Sequence, residues 1–161
     1  MVILVMGVSG SGKTTIGQLL ASSLDWQFSD ADDFHPSANI QKMSHGIPLV
    51  DADRLPWLQT LKQAINEWLK TGTNVVLACS ALKSSYRQFL CQDSEQVKLV
   101  FLKGSFELIY QRLVKRHEHY MQTDLLQSQF EALEDPENAL QIEIDQSPTA
   151  IVQQIRTDLN L

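Results

Sequence analysis

The chain has 161 residues, of which 43% are hydrophobic and 20% charged, and its net charge is −6. These values are typical of one folded domain and exclude a disordered, collagen-like or coiled-coil chain. The negative charge argues against a nucleic-acid partner, which would need clustered lysines and arginines. No apolar segment is long enough for a membrane span or a signal peptide, so we expect a cytoplasmic protein without membrane contact. Cys79 and Cys91 show neither zinc-site nor disulfide spacing.

The chain is predicted to begin with a buried strand, a glycine-rich turn and a helix. Residues Val2–Met6 form an unbroken apolar run, as in the central strands of parallel sheets. From Lys13 to Leu24 apolar residues recur with helical spacing. A second strand is predicted over Trp26–Ser29. The following stretch, to about residue 54, has no long periodic pattern, so we expect a functional excursion that contains one short helix.

Helices and strands alternate in the rest of the chain. One helix is predicted to start near Asp51 or Asp53, with Pro56 in its first turn and Gly72 just past its end. Trp57 and Trp68 lie on its apolar stripe and are predicted to be core residues rather than stacking platforms. The alternation predicts an α/β fold with a mainly parallel sheet flanked by helices. The other predicted elements are strands at Val75–Cys79, Val97–Leu102 and Ile142–Ile144, and helices at Ser84–Leu90, from Ser105 to about Arg116, and from Ser147-Pro148 to Leu159.

The turn after the first strand matches a phosphate-binding motif. Residues Gly7–Thr14 fit the pattern G-x-x-x-x-G-K-[ST], between the strand and the helix that this motif requires. Glycines let backbone N–H groups face phosphate oxygens, Lys13 can reach the β- and γ-phosphates, and the Thr14 hydroxyl can bind Mg²⁺. A glycine-rich turn would match by chance in about one of two hundred such chains. We therefore expect ATP with Mg²⁺ to bind at Gly7, Val8, Ser9, Gly10, Ser11, Gly12, Lys13, Thr14 and Thr15.

A P-loop alone does not separate kinases from ATPases, GTPases or nucleotide sensors. The chain lacks the guanine-reading N-K-x-D motif, and no predicted strand ends in the aspartate of a Walker B motif. These absences and the small size indicate the nucleoside-monophosphate-kinase-like P-loop kinases, which the chain resembles in the order of its elements. Residues 1–161 are thus predicted to be one P-loop kinase domain, with an acceptor-binding excursion over about 30–56.

Two aspartates follow the second predicted strand. Asp30 and Asp32 are expected at the same carboxyl edge of the sheet as the P-loop, where ligands bind in open α/β folds. Their spacing allows Asp30 to hold Mg²⁺ through water while Asp32 orients the attacking hydroxyl and serves as its base. The alternative is that aspartate and proline cluster here for turn formation and solvation. The neighbouring P-loop favours the catalytic interpretation.

Further blocks are specific enough to indicate a family. They are Gly7–Thr14, Asp30–Pro36, Asn39, Lys42–Met43, Gly46–Leu49, Asp51, Asp53–Arg54, Pro56–Leu58, Cys79–Lys83, Tyr86–Arg87, His119–Met121, Leu125–Leu126, Ser128–Phe130 and Leu133–Pro136. Together they closely resemble the gluconate kinases over nearly the whole chain. The resemblance implies ATP-dependent phosphorylation of D-gluconate at its terminal hydroxyl to give 6-phospho-D-gluconate, and homodimers are frequent in that family. Ala31, Val50, Glu118 and Gln122 depart from the family pattern, but none of them removes a charged group that the reaction needs.

Three cations lie nearest, by motif, to the expected acceptor site. Arg54, Lys83 and Arg87 are candidates for binding the gluconate carboxylate, since a guanidinium can donate two hydrogen bonds to a carboxylate. Each could instead form a surface ion pair, and Asp53 beside Arg54 makes that alternative concrete. His35 is expected either to hydrogen-bond a sugar hydroxyl or to cap the following helix.

Arg112 and Arg116 lie four residues apart on one face of a predicted helix. In related small kinases an arginine-bearing segment at this place closes over ATP, with one guanidinium on adenine and another near the phosphates. We therefore expect both arginines to bind ATP, Arg116 to assist catalysis, and a short lid over about residues 117–124. The alternative is a solvated basic face that pairs with Glu107 or Glu118.

Two other functions stay open at this point. A shikimate-type kinase also carries D-x-D after its second strand, but it has a glycine-rich strand end where this chain has Cys79-Ser80-Ala81. A regulatory ATP-binding module would keep the P-loop and would need neither an acceptor site nor a lid.

Overall fold

The computed structural model describes residues 1–92, 94–116 and 121–161. In these ranges helices and strands alternate along the chain, and a 3₁₀ turn over Ala31–Phe34 follows the second strand. The elements are β1 (Val2–Met6), α1 (Lys13–Leu24), β2 (Gln27–Asp30), α2 (Ser37–Ser44), α3 (Asp51–Thr71), β3 (Val75–Ala78), α4 (Ser84–Cys91), β4 (Val97–Lys103), α5 (Phe106–Lys115), α6 (Met121–Ala132), β5 (Leu140–Glu143) and α7 (Pro148–Leu159).

The five strands form one parallel sheet in the order β2-β3-β1-β4-β5. All five residues of β1 are fully buried, which explains the unbroken apolar run at the start of the sequence. Ile3 and Val5 pack in a layer with α1, α5, α6 and α7. Val2, Leu4 and Met6 face the other way and pack against α3 and α4. The sheet is therefore covered on both faces, as the α/β prediction requires.

Most predicted elements are confirmed, with small shifts at the edge strands. β2 lies one residue later than expected, and β5 begins two residues earlier and ends one residue earlier, because the ends of these strands follow pairing with β3 and β4. The placement of Pro56 in the first turn of its helix is wrong. The Val50 N–H donates to the Asp53 carboxylate over 3.0 Å, so α3 already begins at Asp51 and Pro56 lies in the second turn.

The segment around the predicted lid differs most from expectation. Residues 117–120 of that lid lie outside the described residues, and residues 121–124 form the first turn of α6, a helix that the sequence analysis did not predict.

Trp57 and Trp68 pack in the hydrophobic core between the sheet and helices α3 and α4, as expected. Within the described ranges, the helices are too short or too polar to cross a bilayer.

The sheet register brings the P-loop and the acceptor segment together. Val5 of β1 and Asp30 of β2 are both paired with Ala78, so the two strands end at the same level on either side of β3. The Gly7 N–H donates to the Ser80 carbonyl, which ties the start of the P-loop to the end of β3. The carboxyl edge of the sheet therefore holds both segments that the sequence analysis selected.

Leu61→Ala should lower the free energy of unfolding by about 2–5 kcal/mol, because Leu61 is fully buried under the sheet and its removal leaves a cavity. Leu55→Ala is the matched control, since Leu55 lies on the same helix with 52% of its surface exposed. We expect that control to change the free energy by less than about 0.5 kcal/mol. The free energy of unfolding of both variants is measured by urea unfolding, in which the m value should stay unchanged. Equal losses of stability in the two variants would contradict this placement of α3.

Candidate active site

The P-loop connects β1 to α1 through glycines in conformations that other residues rarely adopt. Gly10 has a φ of +81° and Gly12, which precedes α1, has a φ of +98°. A Cβ at Gly10 would lie 2.9 Å from the Leu113 side chain of α5. The loop therefore curves against α5 and turns directly into the N-terminus of α1, where backbone N–H groups and the helix dipole favour an anion.

Lys13 is the cation of this loop. Its Nζ donates to the Val8 carbonyl over 3.0 Å. Burial lowers the pKa of Lys13, whereas the buried Cys79 thiol, Asp32 and Asp30 act in the opposite direction. Burial also raises the pKa of Cys79 to about 12, so its thiol stays neutral near pH 7. The structure thus holds the ammonium in place beside the two aspartates that were predicted to act on the acceptor.

Asp30 is oriented by two contacts. One carboxylate oxygen accepts a hydrogen bond from the Asp32 N–H over 2.9 Å, and the other lies 3.4 Å from the Thr14 hydroxyl. A hydroxyl and a carboxylate side by side are hard oxygen donors that suit Mg²⁺, which takes few protein ligands and completes its shell with water and phosphate. Elsewhere in the described ranges, no group of three His, Cys, Asp or Glu side chains forms a metal site. Thr14 and Asp30 therefore fit a magnesium ion.

Asp32 carries a carboxyl group with a raised pKa. The main cause is partial loss of water contact, and the negative charge of Asp30 adds to it. His35, when its ring is protonated, and Lys13 oppose the shift with their positive charge. A carboxylate with a raised pKa accepts a proton more readily than an ordinary aspartate does.

His35 is held in one orientation and one tautomer. Its ring stacks on Trp57 with centroids 4.6 Å apart and an interplanar angle of 11°. The buried Asn39 amide nitrogen lies 3.2 Å from His35 Nδ1 and also donates to the Asp53 carbonyl over 2.8 Å. Because an amide nitrogen can only donate, Nδ1 must accept and Nε2 carries the hydrogen. Burial lowers the pKa of His35, so the ring is a neutral donor through Nε2.

Charged and aromatic side chains form a cluster beside His35. Lys83 Nζ donates to the Asp51 carboxylate over 2.8 Å, and the Tyr86 hydroxyl bonds to the same carboxylate. The Arg54 guanidinium lies 3.4 Å from the Tyr86 hydroxyl and 6.0 Å from the centre of its ring. Among the described residues Arg54 makes no ion pair, whereas Lys83 does. Arg54 is therefore the cation of this cluster with charge to offer a ligand.

Arg87 is not brought to this cluster. The side chain is buried and donates to the carbonyls of Ala81, Leu82 and Glu134 over 2.7–2.9 Å. These bonds tie the loop after β3 to the segment after α6. The expected substrate contact of Arg87 stays a prediction, for a guanidinium that has five N–H donors and already donates to three backbone carbonyls.

The two arginines of α5 have different surroundings. The Arg112 guanidinium donates to the Ile144 carbonyl over 2.7 Å, which joins α5 to the segment after β5. Arg116 is exposed at the C-terminal end of α5. Glu107 forms no ion pair with either arginine in the part of the chain that the structure describes, and Glu118 lies outside it.

Three residues of the site had no role in the sequence analysis. Asn39 fixes the His35 tautomer, Trp57 supports its ring and donates from Nε1 to the Ala31 carbonyl over 2.7 Å, and Tyr86 sits between Lys83 and Arg54. The spacing of Asn39 four residues after His35 was the available signal. The contacts of Trp57 and Tyr86 depend on tertiary packing, so no local pattern reveals them.

Comparison with known proteins agrees with this geometry. A probable gluconokinase of Mus musculus is 48% identical over 91% of this chain and 90% of that protein. The thermosensitive gluconokinase of Escherichia coli K12 is 44% identical over 95% of this chain and 84% of that protein. A crystal structure of a gluconokinase from Sinorhizobium meliloti 1021 superposes with a TM-score of 0.85 at 42% identity, covering 98% of this chain and 90% of that chain. The chain belongs to the gluconokinase family.

The family lies within a wider group of P-loop kinases. The shikimate kinase family model matches residues 9–159, so the chain also belongs to the family that this model describes. The solved shikimate kinase from Aquifex aeolicus is only 18% identical, with a TM-score of 0.61, and shows the shared fold alone. The gluconokinases above are each more than 40% identical to this chain. The predicted family and fold are therefore confirmed, and a shikimate kinase is disfavoured.

The electrostatic contact between Asp32 and His35 can be tested by titration. The His35 ring should titrate below the ordinary value near 6.5, because burial disfavours its charged form. Asp32→Asn should lower that pKa further, since the Asp32 charge supports protonation of the ring. Asp33→Asn removes a neighbouring charge that does not act on His35 and should leave its titration unchanged. Histidine ¹H–¹⁵N spectra across pH measure all three proteins, and an unchanged midpoint in Asp32→Asn would refute the contact.

Proposed function

We propose that this protein transfers the γ-phosphoryl group of ATP to the terminal hydroxyl of D-gluconate and releases 6-phospho-D-gluconate and ADP. The observation that carries the proposal is a continuous line of interacting groups. The Asp30 carboxylate accepts from the Asp32 N–H and lies 3.4 Å from the hydroxyl of Thr14, the residue after Lys13. The His35 N–H donates to the Asp32 carbonyl over 3.4 Å, and Asn39 links the His35 ring to the carbonyl of Asp53, next to Arg54. A phosphate-binding lysine, a base and a free cation thus lie side by side, as phosphorylation of a hydroxy acid requires. The gluconokinase relatives support the choice of substrate.

The ATP phosphates would bind at the P-loop. Backbone N–H groups of the loop and the N-terminus of α1 would face the phosphate oxygens, and Lys13 would offset the charge of the transferred group. Arg112, held beside the segment after β5, would lie over the adenine, and exposed Arg116 would approach the phosphates. The full set of proposed ATP contacts is Gly7, Val8, Ser9, Gly10, Ser11, Gly12, Lys13, Thr14, Thr15, Arg112 and Arg116.

Thr14 and Asp30 would hold Mg²⁺, Asp30 through water. The ion would supply positive charge to the phosphate oxygens, as it does in P-loop kinases generally. The bond from the Asp32 N–H to Asp30 sets the distance between the metal-binding carboxylate and the base, so one short segment serves both tasks.

The acceptor would bind between His35 and Arg54. His35 would donate from Nε2 to a sugar hydroxyl, and Arg54 would bind the carboxylate at the other end of the molecule. Lys83 would assist Arg54 while Asp51 fixes its position. Asp32 would accept the proton of the terminal hydroxyl as its oxygen attacks the γ-phosphorus and ADP leaves, and the proton would then pass to water. For Arg87 we propose a positioning role in place of the predicted substrate contact, because its guanidinium is buried and donates to three backbone carbonyls.

The function is tested by measuring ADP release with ATP and Mg²⁺ against a panel of acceptors. D-gluconate should be phosphorylated, and D-glucitol, which has the same carbon chain without the carboxylate, should be a poor substrate. Shikimate and nucleoside monophosphates complete the panel. Turnover of shikimate in preference to gluconate would overturn the proposal, and ATP binding without turnover of any acceptor would favour a regulatory module.

Asp32→Asn should reduce kcat by about 10²–10⁴-fold, because the amide keeps the shape of the carboxylate and cannot take the proton. ATP should still bind, since the P-loop is intact. Asp33→Asn is the matched control and should retain most of the activity. Steady-state kinetics with gluconate and direct ATP binding measure the effect, and a loss confined to ATP affinity would mean that the roles of Asp30 and Asp32 are assigned wrongly.

Arg116→Ala should lower kcat for gluconate phosphorylation and raise the share of ATP lost to water, because a cation near the phosphates would help to exclude water during transfer. Lys115→Ala removes the neighbouring exposed cation and serves as the control. ADP and 6-phosphogluconate are measured in the same reaction. Equal yields of the two products at the wild-type rate in Arg116→Ala would show that Arg116 belongs to a solvated surface.

Two further proposals rest on the family resemblance. We propose that the protein forms a homodimer and acts in the cytoplasm, where ATP and Mg²⁺ are available. Several apolar side chains on and around α2 are at least two-fifths exposed, which is consistent with a covered surface in an assembly. These are Ile40, Met43, Ile47 and Val50. Sedimentation equilibrium of the purified protein tests the dimer.

A further inference from the structure

A glutamine of α6, to which the reaction scheme above gives no role, contacts the P-loop. The Oε1 atom of Gln129 accepts a hydrogen bond from the Ser9 N–H. Because the partner is an N–H group, the carboxamide atom that faces it must be the oxygen. Gln129 belongs to the Ser128–Phe130 block of the sequence, to which the reaction assigns no role.

The helix that carries Gln129 is fixed on both sides of this residue. Leu126, one turn earlier, is fully buried, and the Phe130 ring meets Phe106 edge to face with centroids 5.5 Å apart. After the helix, the Glu134 N–H donates to the Leu82 carbonyl over 2.9 Å, and Arg87 donates to the Glu134 carbonyl. The Gln129 side chain therefore extends from a rigid support.

The contact falls on the peptide group that also holds Lys13. Val8 supplies the carbonyl of this peptide, which accepts from Lys13 Nζ over 3.0 Å, and Ser9 supplies its N–H. The peptide is planar, so fixing the direction of the N–H also fixes the direction of the carbonyl. An acceptor on the N–H further polarises the carbonyl and strengthens the bond that it accepts from the lysine.

We propose that Gln129 is a positioning residue for Lys13 and acts through the Val8–Ser9 peptide. Gln129 holds the peptide so that its carbonyl faces the ammonium, and this keeps Lys13 at the place where it meets the β- and γ-phosphates. The proposal rests on the proposed function for the role of Lys13 in phosphoryl transfer. Its test uses ATP binding, which is measurable whether or not gluconate is the acceptor.

The test is a double-mutant cycle between Gln129 and Lys13. Gln129→Met keeps the length of the side chain and removes the strong acceptor, so ATP should bind about 3- to 10-fold more weakly, the range expected for one neutral hydrogen bond. In a Lys13→Ala background the same substitution should change ATP affinity less than about twofold, since Gln129 then has no ammonium to position. Gln127→Met, on the exposed side of α6, is the control and should have no effect in either background.

Gln129→Asn provides a second variant that keeps the carboxamide and shortens its reach, and it should show the same coupling to Lys13. Thermal unfolding of each variant separates loss of the contact from loss of the fold. Additive effects of the Gln129 and Lys13 substitutions, or wild-type ATP affinity in both Gln129 variants, would overturn the proposal. If wild-type protein binds ATP and does not phosphorylate gluconate, the proposed function fails while the cycle still decides the role of Gln129.

Discussion

The site depends on placing one ammonium group, that of Lys13, out of bulk water next to the P-loop. Burial of a cation is unfavourable, and it lowers the pKa of Lys13 as a direct result. Three groups offset this cost: the Val8 carbonyl at 3.0 Å and the negatively charged carboxylates of Asp32 and Asp30. The carboxyl ends of β1 and β2 must therefore stop at the same level of the sheet, and the shared pairing partner Ala78 ensures that they do.

The same arrangement lowers the stability of the folded protein near neutral pH, where Asp32 loses its proton. Asp32 has a raised pKa, so its contribution to stability is fully present below the pKa of the unfolded chain and is lost as the pH rises through the folded value. The fold thus holds a carboxylate that gains from taking up a proton and an ammonium that gains from an anionic partner. In the proposed reaction, transfer of a phosphoryl group to a hydroxyl would supply the proton to Asp32 and the anionic partner to Lys13.

Most of the fold could be predicted from the sequence because, in most elements, the local pattern and the tertiary environment agree. The buried β1 run, the P-loop and the Gly72 and Ser147 helix ends each predict the element that the structure contains. α6 was missed: only its first turn, residues 121–124, fell in a predicted element, the lid, and the rest of the helix was assigned to no element. Leu125, Leu126 and Phe130 have the spacing of a helical face, and only the burial of Leu126 shows which side faces the core.

A site residue could be predicted where a local sequence motif determines its role. It could not be predicted where tertiary packing determines whether its side chain is free to bind a ligand. Arg54 and Arg87 have the same side chain and were chosen by the same argument from motifs, yet their surroundings separate them. Arg54 makes one long contact to a hydroxyl and keeps its charge available, whereas Arg87 is buried with three carbonyls on its guanidinium. Two of those carbonyls lie five and six residues before Arg87, but the third, that of Glu134, lies 47 positions away and leaves no trace in the sequence around Arg87. A guanidinium binds a ligand carboxylate only where the fold leaves its donors unused, and that property follows from burial rather than from residue type.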